Sequence, residues 1–201
     1  RRCQTRSGTV LEPVAAAILK PPKPASYNEP EWHLDQVVDR ITALSGVTRD
    51  AAICGLTYKE ASTIARLRQR GYPNAVCLDV QRDLGIRDPA AGVETIQAQI
   101  SAGFLGDRTD HRGRYQVVIA RHILEHAHDP RRFADGLRGL LAADGYLIFE
   151  VPDFMASVRG GNYSTIWEEH VVYFTKTTFP AVLHRLGLQV REVFTYPSAL
   201  E

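Results

Sequence analysis

Two stretches in the second half of the chain decide the fold: YQVVIARHILEHAHDP at residues 115–130 and AADGYLIFEVP at residues 142–152. The first opens with a β-branched run over residues 115–120, which predicts a short buried strand. Residues 131–142 have helical spacing, and the second stretch predicts another strand over residues 146–151. A strand, a helix and a second strand in this order are typical of a βαβ unit with parallel strands.

The same alternation extends in both directions along the chain. The further predicted elements are strands over residues 51–54 and 75–79, helices over residues 59–70 and 93–100, a helix over residues 177–186 and a strand over residues 188–195. The sequence therefore predicts an α/β fold with a Rossmann-like, doubly wound, mostly parallel sheet and helices on both faces.

The chain divides at residue 30. Residues 1–30 hold five prolines, which favour an extended, proline-rich arm. Residues 31–45 predict an amphipathic lead-in helix that ends at Ser45-Gly46, and we expect residues 31–201 to form one domain. Because the chain starts at Arg1 and ends on Ala199-Leu200-Glu201, we expect it to be a piece of a longer protein.

Composition excludes several classes of partner. With 24 basic and 23 acidic residues the net charge is +1, which lacks the electrostatic footprint of a nucleic-acid binder. Three cysteines without metal-ligand spacing indicate neither a disulfide framework nor a zinc site and favour a reducing cytoplasm. No apolar run reaches the roughly 18 residues of a membrane span, and no signal peptide is evident. We expect a cytoplasmic protein with no nucleic-acid or membrane partner.

The first strand-to-helix turn, Cys54-Gly55-Leu56-Thr57-Tyr58-Lys59, lies where an open parallel sheet binds a cofactor. Glycine lets the backbone approach a ligand, and this turn has one, Gly55. Asp79 ends the next strand, where a carboxylate can accept hydrogen bonds from both ribose hydroxyls of an adenosine. We assign Gly55 and Asp79 to cofactor binding. The alternatives are that Gly55 closes a tight turn and that Asp79 caps the residues after it.

The string from Gly55 to Glu60 also resembles the opening of the sugar-nucleotide-binding domain of UDP-sugar dehydrogenases. In that family an acidic, arginine-containing stretch follows the turn, and residues 61–66 do not reproduce it. The resemblance therefore ends at Glu60.

Residues 116–152 resemble the fourth and fifth strands of class I S-adenosylmethionine-dependent methyltransferases, where D-x-V-x-x-x-H-x-L-E-H precedes a helix and L-x-x-G-G-x-L-x-x-x-x-P follows it. The departures are Gln116 for the usual aspartate and Asp144 for the first glycine. The resemblance implies S-adenosylmethionine as cofactor. It implies that Asp107, after Gly106, reads the adenine amino group, unless it is a plain loop residue, and that His122 borders the cofactor cleft.

Three histidines follow the strand at residues 115–120, namely His122, His126 and His128, and imidazoles this close in sequence can share a metal ion. No HExxH-type helix and no carboxylate at ligand spacing accompanies them. In the methyltransferases that this run resembles, it is mainly structural. We therefore predict no metal site.

The segment Trp167-Glu-Glu-His170-Val-Val-Tyr-Phe174-Thr175 resembles the E-H-x-x-Y-F-(S/T) motif of the sugar C-methyltransferases, which methylate the carbon next to the ketone of a nucleotide-linked deoxysugar. The resemblance implies His170 as catalytic base, with Glu169 assisting. A carbon must lose a proton before it attacks a sulfonium methyl, which suits a base that titrates near neutrality and is held by a carboxylate. The alternative is that both residues only form hydrogen bonds within a loop.

Residues 157–164, with the pair Gly160-Gly161, predict a flexible lid above this site. We assign Tyr163 and Tyr173 to substrate binding, although tyrosines more often serve as packing residues.

The sequence thus predicts an S-adenosylmethionine-dependent methyltransferase with a small-molecule acceptor, and C-methylation of a nucleotide-linked ketosugar is the more specific hypothesis. One alternative is a non-catalytic methyltransferase-fold binding module, which the single glycine of the first turn favours. A UDP-sugar dehydrogenase-like nucleotide-sugar-binding domain is another. The N-terminal zinc module, the C-terminal module and the last antiparallel strand of the resembled family have no visible counterpart.

Overall fold

The computed structural model describes residues 31–103, 111–161, 166 and 169–196. Its sheet has four parallel strands in the order β2-β1-β3-β4. These strands are β1 (Ile53–Gly55), β2 (Ala75–Cys77), β3 (Tyr115–Arg121) and β4 (Leu141–Glu150). The predicted α/β, mostly parallel architecture is confirmed.

Six helices accompany the sheet within the described ranges. They are α1 (Leu34–Thr42), α2 (Ala61–Gln69), α3 (Val93–Ser101), α4 (Pro130–Leu140), α5 (Phe154–Arg159) and α6 (Thr178–Arg185).

Strand β3 carries core residues on both faces, because successive side chains of a strand point to opposite sides. Val117 and Ile119 join the apolar cluster that includes side chains of α1 and α2. Val118 and Ala120 join the cluster that includes side chains of α3 and α4. Helices therefore cover both faces, as in a doubly wound fold.

Helix α4 begins at Pro130 because the residues around it form a helix start signal. The Asp129 carboxylate accepts a hydrogen bond from the Arg132 backbone N–H at 3.0 Å, and Pro130 occupies the first helical position. Both features favour a helix start at this point. The helix then returns the chain to the amino end of β4, parallel to β3.

The prediction of a strand over residues 188–195 is wrong for this part of the chain: no strand is assigned in residues 188–196. A strand needs a neighbour for its backbone hydrogen bonds, and among the described strands β4 pairs only with β3. The segment instead contacts α1. The Arg40 guanidinium lies 3.1 Å above the centre of the Phe194 ring, and the Tyr196 ring centre lies 5.0 Å from that of His33.

Other predicted bounds shift by a few residues. The helix predicted from residue 59 starts as a single 3₁₀ turn, Tyr58–Glu60, before α2. Strand β4 begins at Leu141 instead of residue 146, with a register shift opposite Tyr115 and Val117. Part of the predicted lid is ordered as α5, and residues 162–165 lie outside the described residues, as does the arm at residues 1–30.

Within the described residues, no helix combines the length and the apolar character needed to cross a membrane.

Candidate active site

The site lies at the carboxyl edge of the sheet, where β1 and β3 are neighbours while the chain continues outward to β2 on one side and β4 on the other. Ligands of open parallel sheets bind at such a switch in strand order. The segments that leave β1 and β3 here are residues 56–60 and 122–126. They bring together most of the polar side chains discussed below.

The turn after β1 is organised around Glu60, which is fully buried. One Glu60 carboxylate oxygen accepts hydrogen bonds from the Thr57 backbone N–H at 2.6 Å and the Thr57 hydroxyl at 2.8 Å. The other oxygen accepts one from the Arg121 backbone N–H at 2.7 Å. Burial raises the pKa of Glu60 to about 7, although these hydrogen bonds oppose the rise. The turn is therefore stabilised by a buried carboxyl group.

The same contact explains Gly55. A Cβ atom added there would lie 2.5 Å from the Glu60 Cβ and 3.1 Å from its Cγ. Gly55 is thus required for the close approach of Glu60, which agrees with the tight-turn alternative. Its assignment to cofactor binding stays a prediction.

Asp79 lies two residues beyond β2 and is exposed. One of its carboxylate oxygens accepts hydrogen bonds from the backbone N–H groups of Gln81, at 3.0 Å, and Arg82, at 2.7 Å. The capping alternative is therefore observed. A ribose contact through the exposed carboxylate stays a prediction, and Asp107 lies outside the described residues.

Arg121, at the end of β3, joins the first turn to β4. Its side chain is 2% exposed and forms two contacts with the Glu150 carboxylate, at 2.7 and 3.2 Å. It also donates a hydrogen bond to the Lys59 carbonyl oxygen at 2.7 Å. Burial alone would raise the pKa of Glu150, but hydrogen bonds from His122, His33 and Arg121 hold it far below its usual range.

His122 follows Arg121 and has a backbone φ of 48°, in the left-handed region. This conformation is strained for a residue other than glycine, and such backbone strain is often found at functional sites. Its Nε2 atom lies 3.1 Å from a Glu150 oxygen, and its Nδ1 atom lies 3.6 Å from a Glu125 oxygen. Its cofactor role stays a prediction. The geometry shows that His122 lies between the buried Glu125 and the half-buried Glu150.

Glu125 begins the polar cluster around His170. It lies in a 3₁₀ turn, Leu124–His126, and is 1% exposed. Its backbone carbonyl accepts hydrogen bonds from the N–H groups of Val171, at 2.9 Å, and Val172, at 3.1 Å. These two bonds fix the segment at residues 169–174 against the end of β3.

The docked segment brings His170 over the same turn. The His170 Nε2 atom lies 4.0 Å from a Glu125 oxygen, and its ring centre lies 4.7 Å from that of His126 in an edge-to-face arrangement. A small pocket opens beside them. Its lining residues are Glu125, Pro152, Phe154, Ser157, His170, Val172, Tyr173 and Phe174.

Two further predicted site residues, Glu169 and Tyr173, flank His170 in the sequence. Glu169 is exposed, and partial burial together with the charge and hydrogen bond of Glu94 raises its pKa. The Tyr173 hydroxyl donates to the Ile166 carbonyl oxygen at 3.2 Å, and its ring packs 4.6 Å from that of Phe154. Tyr173 lines the pocket, so a substrate contact stays a prediction, and Tyr163 lies outside the described residues.

Sequence reasoning missed four acidic or basic residues of this edge: Glu60, Arg121, Glu125 and Glu150. The spacing Thr57 to Glu60 is that of a capping box, which is a readable signal for Glu60. The other three depend on contacts between segments far apart in the sequence. His128, one of the three histidines considered together, is exposed and separate from the group formed by Glu125, His126 and His170.

S-adenosylmethionine, the cofactor implied by the sequence, fits this edge in part. The exposed Asp79 carboxylate beside the end of β1 suits the adenosine, since the Leu78 N–H bonds the Gly55 carbonyl at 2.9 Å. The turn itself does not offer a glycine cradle, because Glu60 fills the space next to Gly55. Asp79 and the backbone after β1 stay the predicted cofactor contacts.

Comparison with known proteins identifies the family. A family model described as a methyltransferase domain matches residues 55–193. The chain is 28% identical over 163 residues to C-methyltransferase NovU of Streptomyces niveus, a match that covers 81% of this chain and 39% of the relative. The chain therefore spans less than half the length of that relative. Together with the parallel α/β sheet, these matches confirm the resemblance: the chain belongs to the methyltransferase domain family, with the class I S-adenosylmethionine-dependent fold and a relationship to C-methyltransferases.

Proposed function

We propose that this chain is the methyl-transfer domain of an S-adenosylmethionine-dependent C-methyltransferase whose small-molecule acceptor is a nucleotide-linked ketosugar. The observation that carries the proposal is the position of His170, in a pocket at the carboxyl edge with a buried glutamate 4.0 Å away. The name of the relative from Streptomyces niveus supports methylation at carbon. The scarcity of cysteines supports a cytoplasmic enzyme.

The cofactor, when bound, supplies a methyl group activated for transfer. The protein must then remove a proton from the acceptor carbon, and His170 is the base that we assign to this step. The C–H bond breaks, its electron pair delocalises into the neighbouring ketone as an enolate, and the proton moves to the imidazole. A nearby carboxylate stabilises the imidazolium that forms.

Two glutamates compete for the role of that carboxylate. The sequence motif favours Glu169, which is exposed and interacts with Glu94. The geometry favours Glu125, whose buried oxygen is 4.0 Å from the His170 Nε2 atom. A buried charge acts more strongly on a neighbouring imidazole than an exposed one does. We therefore propose Glu125 as the residue that positions His170.

The base can be tested in the complete protein by following exchange of the acceptor C–H proton with solvent deuterium. We expect His170→Asn to slow both exchange and methyl transfer by about 10² to 10⁴-fold, the usual contribution of a general base. Glu125→Gln is expected to slow exchange more than Glu169→Gln does. His128→Asn, which changes an exposed histidine shortly after the turn that holds Glu125, is the control. Unchanged exchange in His170→Asn would rule out its role as base.

A measurement of cofactor binding distinguishes the proposed enzyme from a non-catalytic binding module. The module is the alternative favoured by the turn after β1, where Glu60 occupies the space next to Gly55. We expect calorimetry to detect S-adenosylmethionine binding and Asp79→Ala to weaken it about tenfold, because hydrogen bonds to a charged carboxylate contribute about 1.5–3 kcal/mol. If the unaltered protein fails to bind at millimolar cofactor, the enzyme hypothesis is wrong and the binding-module alternative stands.

A further inference from the structure

Three side chains with metal-ligating atoms converge beside the pocket: Glu125, His126 and His170. One atom from each lies within 4.8 Å of the others. Glu125 and His126 are buried, and the His170 side chain is 8% exposed. The first two come from the turn after β3, and the third comes from the segment docked on that turn.

The Glu125 carboxylate is the observation that indicates a bound cation. Both of its oxygens are buried, and neither has a hydrogen-bond partner among the described residues. The nearest imidazole nitrogens, His122 Nδ1 at 3.6 Å and His170 Nε2 at 4.0 Å, lie beyond hydrogen-bond distance. A buried carboxylate without donors is unfavourable unless a cation compensates it.

His126 also has a carboxylate beside it that is not one of the three ligand residues. A Glu94 oxygen lies 3.1 Å from the His126 Nδ1 atom. Carboxylates at such positions commonly orient metal-bound imidazoles.

In contrast to the expectation from the sequence, we propose that Glu125, His126 and His170 form a binding site for a divalent transition metal ion such as Zn²⁺. Two imidazoles and one carboxylate are a known ligand set for zinc and for non-haem iron, with further positions open to water or another ligand. A tetrahedral centre with bonds of about 2.1 Å separates its ligand atoms by roughly 3.4 Å. The three ligand atoms, now within 4.8 Å of one another, therefore need to approach by up to about 1.4 Å.

Cobalt is a suitable probe, because Co²⁺ occupies zinc sites and absorbs visible light. Protein stripped of metal with a chelator is titrated with Co²⁺, and Zn²⁺ is then added in competition. We expect one Co²⁺ per chain with visible d–d bands, no near-ultraviolet thiolate band, and loss of the bands as Zn²⁺ displaces Co²⁺, since zinc binds more tightly.

Variants locate the ion. Loss of a residue that only hydrogen-bonds to a metal ligand weakens metal binding about 10 to 100-fold. Glu125→Gln and His170→Asn each remove a ligand itself, so we expect them to weaken Co²⁺ binding at least tenfold. His128→Asn changes an exposed histidine two residues after His126, outside the proposed ligand set. This variant is expected to bind Co²⁺ as tightly as the unaltered protein does. Circular dichroism of each variant reports whether it is folded. Glu125→Gln is close to isosteric, so it keeps the test valid if His170→Asn does not fold.

Three results would overturn the site: no stoichiometric Co²⁺ binding, a spectrum with a thiolate band, or equal affinity in folded Glu125→Gln and in the unaltered protein. The absorption readout is independent of methyl transfer, so its failure and that of the proposed function are distinguishable. One consequence does rest on the proposed function. A metal-bound His170 has no lone pair with which to accept a proton, so bound Zn²⁺ is expected to inhibit the base.

Discussion

The buried carboxyl group of Glu60 gives the protein a defined dependence of stability on pH. Burial raises its pKa from 4.5 to about 7 in the folded state. The folded protein therefore holds this proton more tightly than the unfolded chain does. The free energy of unfolding contributed by Glu60 falls as pH rises from about 4.5 to about 7 and is level above that range. At 1.36 kcal/mol per pKa unit, the full change is about 3 kcal/mol.

Glu60→Gln isolates this contribution. Glutamine does not titrate, so the difference in unfolding free energy between the unaltered protein and the variant should shift by about 3 kcal/mol, in favour of the variant, between pH 4.5 and pH 7.5. Urea unfolding at several pH values, followed by circular dichroism, measures it. Taking the difference cancels the titration of His126, whose lowered pKa acts in the opposite direction below about pH 6.5.

A second measurement supports the assignment: an NMR titration of the Glu60 carboxyl carbon in the folded protein should have its midpoint near pH 7. If the difference in unfolding free energy is constant from pH 4.5 to pH 7.5, the hydrogen bonds from Thr57 and the Arg121 backbone outweigh the cost of burial. The reasoning about a protonated turn would then be wrong.

Two further substitutions test the packing of the same edge. Gly55→Ala places a Cβ atom 2.5 Å from the Glu60 Cβ and is expected to lower the free energy of unfolding by about 1–3 kcal/mol, whereas Gly139→Ala in α4, with no atom within 4 Å, should raise it by up to about 1 kcal/mol; equal effects in urea unfolding would contradict the close contact. Arg121→Met removes the guanidinium from Glu150, which keeps its contacts with His33 and His122, and should lower the free energy of unfolding by about 1.5–3 kcal/mol. The double variant with Glu150→Met should cost less than the sum of the two single variants, because their side chains interact, and exact additivity in urea unfolding would refute the ion pair.

The fold could be predicted because its determinants are local. The β-branched run of β3, the Asp129-Pro130 helix start and the helical spacing of α4 all act within a few residues of one another. The strand predicted over residues 188–195 failed for the opposite reason. Strand formation depends on a neighbour in the sheet. Leu188 and Val190 pack instead against the apolar cluster of α3 and α4, and Phe194 contacts Arg40 of α1.

The site could be predicted only in part. The motif singled out His170, which lines a pocket at the carboxyl edge, and its role as base stays a prediction. Its carboxylate neighbour could not be read from the motif, because Glu125 and His170 are 45 positions apart and meet only through the hydrogen bonds of Val171 and Val172. Gly55 has a packing role that the motif did not reveal, because the nearest atom to a Cβ added there belongs to Glu60. Its assignment to cofactor binding stays a prediction.

Two consecutive residues at the end of β3 connect the two halves of the edge. Arg121 bonds the first turn through its backbone N–H to Glu60 and through its guanidinium to Lys59, so it acts on the side where the cofactor is proposed to bind. His122 turns away in a strained conformation and lies between Glu150 and Glu125, so it acts on the side of His170. Because both residues contact Glu150, a change in that carboxylate reaches both sides at once. The edge of this sheet therefore depends on a buried ionic network where a glycine-rich turn would otherwise define the cofactor site.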